Sequence, residues 1–183
     1  SPEETLETGP PHPYLAELEK KIFAAVRKAS ESMFPARLAT GRGSIQLGYN
    51  RLLLREDGRA RALFDNLERI PYGPLDPELM LLRVEDDRGV ARALLVHYAV
   101  HPVVLGPTSC KYSGDYAGVL QSVVESKMPG VECMFVQGGA GDINPLFLGR
   151  TGNHEQDFAT MQKMGELLAS HVVKTARQPK AEI

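Results

Sequence analysis

ELMLLRVEDDRGVARALLVHYAVHPVVLG, residues 78–106, is the stretch on which the fold turns. Two apolar runs flank DDRG, a polar turn signal ending in glycine, and that pattern predicts two antiparallel strands joined by a tight turn. The second run is almost wholly apolar, as in strands buried on both faces, so the hairpin is expected at the centre of a sheet. Downstream, residues 115–127 read as a helix and VECMFVQ (131–137) as another buried strand. Phe158, Met161, Met164, Leu168 and Val172 then mark a long amphipathic helix, capped by Asn153 or His154.

Upstream, Leu15, Leu18, Ile22, Val26, Ala29 and Met33 recur at helical steps after Pro13, a residue suited to a first helical position, and Pro35 ends the run. Residues 36–49 are β-prone pieces broken by glycines, read as two strands or a bulged one. An Arg-rich polar segment to about residue 70 reads as a surface excursion, closed by the turn signals PYGP and LDPE. Strands alternating with helices give an α/β class: a mixed β-sheet flanked by helices in layers, as one domain over residues 1–183.

Composition excludes several roles. Lys and Arg number 21 against 23 Asp and Glu, for a net charge of -2, and no window is basic enough to follow a phosphate backbone, so nucleic acid is not an expected partner. No apolar run approaches the roughly 20 residues of a transmembrane helix, and the acidic, Pro-rich start is not a signal peptide. Cys110 and Cys133 make no C-x-x-C, which leaves a disulfide between them as the one pairing open.

The chemistry concentrates at two places. FVQGGAGDINP (135–145) puts Gly139, Gly141 and Asn144 at the spacing of a dinucleotide-binding G-x-G-x-x-G. The third glycine is missing, however, and Pro145 biases Asn144 away from helical dihedrals, which sets that reading aside. Two readings stay open: a tight turn using positive φ, or a backbone kept bare so that N–H groups at Gly139 and Gly141 can approach a substrate oxyanion. Asp142 then either orients a ligand or general base, or bonds its own turn.

The second place is HYAVHP. His97 and His101, four residues apart on a strand, would share a face but stand about 13 Å from each other, too far to ligate one ion directly. At most one is a ligand of a given site. His101 is the better candidate because ligand sites in α/β sheets gather at strand ends; the competing reading is a core imidazole with its bonds satisfied.

GPLDPELMLLRVEDDRGVARALLVHYAVHPVVLGP, YSGDYAG and FVQGGAGDINP together resemble the catalytic domain of the neutral/alkaline, non-lysosomal ceramidases, over about Tyr14 to Arg177. That resemblance implies a zinc-dependent amidase with a single metal ion in an α/β domain. It makes His101 one of the metal ligands and Ser1-Pro2 the tail of an H-x-H-S-x-P motif. By the same token a Glu and a Tyr ligand would follow Ile183, and the chain would be a segment of a larger catalytic domain. Asn50-Arg51 in GYNRLLL matches the family's N-R, which puts Arg51 beside the scissile group, where a guanidinium suits an oxygen acquiring charge.

The family's G-D-x-S-P carries an essential serine, and Asn144 stands in its place. An amide side chain is no nucleophile, so the resemblance implies attack by water that the metal activates, with Asn144 positioning that water or the substrate. The expected substrate is a lipid or small-molecule amide, and an extracytoplasmic location is compatible with the family. The alternatives are a non-catalytic binding or structural member of the family and, more remotely, an interaction module that works through its long helices.

Overall fold

The computed structural model of the chain describes residues 13–178 and 181–182, so the motif tail read at Ser1-Pro2 lies outside the described residues. The chain divides into two compact units, Ser1–Pro35 and Ala36–Ile183. In the first, Pro13 opens helix α1 (Pro13–Glu31) as expected, and its apolar residues Leu15, Ile22, Phe23 and Val26 are all more than half exposed. No helix among the described residues is long and apolar enough to cross a membrane.

In the second unit, residues 36–49 resolve as two strands, β1 (Arg37–Ser44) and β2 (Gly48–Asn50). The Arg-rich excursion contains a short hairpin, β3 (Leu52–Leu54) with β4 (Ala60–Ala62), turned at Gly58 with φ of 76°. The central hairpin follows as β5 (Glu78–Glu85) and β6 (Ala91–Tyr98). Asp86 builds its turn: one carboxylate oxygen accepts from Arg88 N (3.0 Å) and Val90 N (2.9 Å), while Gly89 takes φ of 75°. These bonds hold the Asp86 carboxyl below its ordinary range, the Val90 bond contributing most.

Helix α2 (Asp115–Lys127), strand β7 (Glu132–Gln137) and strand β8 (Ile143–Pro145) come next, then helix α3 (His154–Ala176) and strand β9 (Ala181–Glu182). Asn153 is the N-cap of α3, its side chain accepting from Gln156 N at 3.2 Å. The main sheet runs β7-β6-β5-β1-β9, with β6 and β7 parallel and the other pairs antiparallel, so the hairpin is central and the sheet mixed as expected. A parallel pair needs a long crossover, and α2 lies within it.

Both α2 and α3 cover one face of the sheet. Tyr116, Leu120, Val124, Leu168 and Val172 meet Leu79, Leu81, Leu94 and Val96, none of them more than 4% exposed. This corrects the expectation that β6 is buried on both faces: Leu94, Val96 and Tyr98 are sealed, whereas Ala93, Leu95 and His97, which point the other way, are half-buried. The disulfide left open by the sequence is absent, because Cys110 is a free surface thiol and Cys133 a free buried one. Burial, with Glu125 nearby, pushes the Cys133 thiol up to about 12.

One contact between the helices is set by a missing side chain. A Cβ on Gly165 of α3 would stand 2.5 Å from Val119 Cβ of α2. Gly165→Ala gains up to about 1 kcal/mol of helix propensity, but overpacking costs about 1–3 kcal/mol. The urea midpoint is therefore expected to fall; a rise would show that α2 and α3 can separate freely.

Candidate functional site

Three segments meet just beyond the end of β6. The strand was expected to run to His101, but it stops at Tyr98. Tyr98 O still accepts from Gly138 N at 3.0 Å, and the chain then turns so that His101 N donates to Ile143 O at 3.0 Å. That bond docks His101 on β8, which pairs with β2 through Tyr49↔Asn144 and Asn50↔Ile143. One small ladder thus brings residues 138–145, His101 and the Asn50-Arg51 pair together.

Arg51 is fixed at both ends. Its backbone N donates to Asp142 O (2.8 Å), Nη2 to Gly141 O (3.0 Å) and Nη1 to Asn144 Oδ1 (3.3 Å). The guanidinium carbon lies 5.3 Å from the centre of the Phe64 ring, a cation–π contact. Both side-chain acceptors are neutral, so neither cancels the charge of the guanidinium. Asp142, half-buried, accepts at Oδ2 from Asn50 Nδ2 (2.8 Å), and Asn50 is itself held by Pro74 O and Leu52 N. Its carboxylate is therefore held across the ladder by Asn50.

Asn144 is 1% exposed, and its Nδ2 is buried without a hydrogen-bond partner. Burial raises the neighbouring Tyr49 hydroxyl above its ordinary range, and the Asn144 side chain offsets part of that shift. Tyr49 gives its proton to the carbonyls of Leu63 (3.1 Å) and Phe64 (3.2 Å). A buried donor left without a bond costs about 1–3 kcal/mol.

The glycines divide by role. The positive-φ glycines of the described residues are Gly58, Gly89, Gly130 and Gly152, so the reading of a positive-φ turn at Gly139 or Gly141 is corrected. The steric demand falls on Gly138, where a Cβ would stand 2.7 Å from His97 Nε2. Gly139 and Gly141 are exposed, and a Cβ on either would meet nothing within 4 Å. Free space therefore adjoins the backbone beside Arg51.

His101 is half-buried, and its Nδ1 is buried and unpartnered, as is that of His97. A free ring nitrogen is what a metal ligand requires. Among the described residues, no three His, Cys, Asp or Glu side chains converge, so these residues do not complete the three-ligand set of a catalytic zinc. Pro102 begins a cleft of about 410 Å³ along Gly106, Ser109, Lys111 and Asp115; His101, Arg51, Asp142 and Asn144 do not line it. Sequence reading missed Tyr49, Phe64 and Gly138, whose contacts are made across the fold and leave no spacing to read.

No family model matches the sequence, nor does any curated protein. Solved structures do match. The neutral ceramidase from Pseudomonas aeruginosa superposes with a TM-score of 0.71 at 20% identity, over 90% of this chain and 26% of its own. A ceramidase complexed with C2 gives 0.67 at 20% identity, over 86% of this chain and 24% of its own. The likeness establishes the fold, and the chain spans about a quarter of the length of those proteins.

Proposed function

We propose that this chain carries part of the active site of a ceramidase-like hydrolase that cleaves a C–N bond in a lipid or small-molecule amide. The observation that carries the reading is Arg51: a guanidinium aimed by two neutral acceptors, Asn144 Oδ1 and Gly141 O, next to an unobstructed glycine backbone and on the ladder that also docks His101. The likeness to ceramidase structures supports it at the level of the fold.

Amide hydrolysis needs a nucleophilic oxygen at the carbonyl carbon, a donor for the oxygen that becomes negative, and a proton for the departing amine. Arg51 meets the second need because its charge is preorganised and not cancelled by its partners. The N–H groups of the exposed Gly139 and Gly141 would add to it. Asp142, steadied by Asn50, is the nearby carboxylate that could take a proton from water and pass it to the amine. Asn144 holds Arg51 from behind and supplies no nucleophile. A zinc ion, when bound, would add Lewis acidity and lower the pKa of water; His101 would be one of its ligands, with the others outside the described residues.

The intact protein, offered a panel of N-acyl amides, is expected to release amine and carboxylate in equal amounts, unaffected by serine-directed phosphonylating reagents. Amide binding without release of amine would favour a binding protein of the same fold. Inactivation by the reagent would place a serine nucleophile elsewhere.

A further inference from the structure

Arg150 touches two loops around this site. Its stem lies over Gly106 in the loop that follows His101, where a Cβ would stand 2.9 Å from Arg150 Cγ. The next residue back, Gly149, is bound to that loop by its N–H to Val104 O at 2.9 Å and by a bridge to Leu105. On the other side, Arg150 Nη1 donates to Phe64 O at 3.0 Å and faces Asp65 Oδ1 at 3.3 Å. The Asp65 side chain is 72% exposed, so that ion pair contributes little. The bond to the Phe64 carbonyl is the stronger constraint.

Phe64 is the platform under the Arg51 guanidinium, yet it is 53% exposed and has little packing of its own. Its carbonyl is held by two donors, Arg150 Nη1 and the Tyr49 hydroxyl. Arg150 also keeps its Nε buried without a partner, a cost that a surface ion pair alone would not justify.

We propose that Arg150 is a positioning residue for Arg51: it fixes the Phe64 platform and ties it to the loop after His101, so that the two sides of the site keep one spacing. The inference rests on the hydrolytic reading above for its effect on turnover, and on geometry alone for its effect on Arg51.

Two measurements on the intact protein test it. Arg150→Ala is expected to lower kcat on the order of 10- to 100-fold, the scale of a small misplacement, with KM little changed. Added to Arg51→Ala it should cause no further loss, because it acts through Arg51; additive losses would overturn the proposal. By NMR, the upfield ring-current shift of the Arg51 side-chain protons over Phe64 should vanish in Arg150→Ala, Arg150→Met and Phe64→Leu. Arg150→Lys, which can still donate to the Phe64 carbonyl, should recover most of it. An unchanged shift in Arg150→Ala would overturn the proposal even if the protein hydrolyses no amide, an outcome that would defeat only the hydrolytic reading.

Discussion

Replacing Arg51 by alanine in the intact protein is expected to lower kcat by about 10²–10³-fold, or about 2.7–4 kcal/mol of barrier, the loss typical of one preorganised oxyanion donor. KM should change little, because the interaction strengthens only as the carbonyl oxygen becomes negative. Arg51→Lys should recover little of the rate: an ammonium is a point charge and cannot satisfy Asn144 Oδ1 and Gly141 O while facing a substrate. A raised KM with unchanged kcat would make Arg51 a residue that binds substrate and transition state equally.

On the zinc reading proposed above, His101→Ala in the intact protein is expected to abolish measurable hydrolysis and to reduce the zinc retained after dialysis, measured by elemental analysis. Ligand loss acts on both quantities at once. His97→Ala is the matched control. Its Nε2 packs against Gly138, so that variant should lose stability while keeping its zinc. Equal metal loss in the two variants would mean that the imidazoles do not differ in role, and retained metal in His101→Ala would remove it from the ligand set.

These expectations rest on features that were unequally legible in the sequence. The hairpin could be read because Asp86 and Gly89 build the turn from local bonds, and local bonds leave a pattern in neighbouring residues. The span of α2 could be read for the same reason, and Asn153 as cap of α3 is a local bond to Gln156. The end of β6 was not legible: the chain leaves the sheet at Tyr98 because Ile143, distant in sequence, captures His101 N.

The one-sided burial of β6 follows from both helices packing on one face, which an apolar run cannot announce. The site shows the same division. Arg51, Asp142 and Asn144 could be named from resemblance to short motifs, and the fold brings them together. That Asn144 is buried behind Arg51 depends on the pairing of β2 with β8, and so does the grip of Asn50 on Asp142.

The most direct test of the proposed hydrolytic site, in which Asn144 is read in the place of a serine nucleophile, is a rapid-quench time course of N-acyl amide hydrolysis by the intact protein, with enzyme at high concentration. The expected result is amine release that is linear from the first turnover, since no acyl group is transferred to the protein. A burst of amine equal to the enzyme concentration, still present in Asn144→Ala, would contradict it and show that another side chain forms a covalent intermediate.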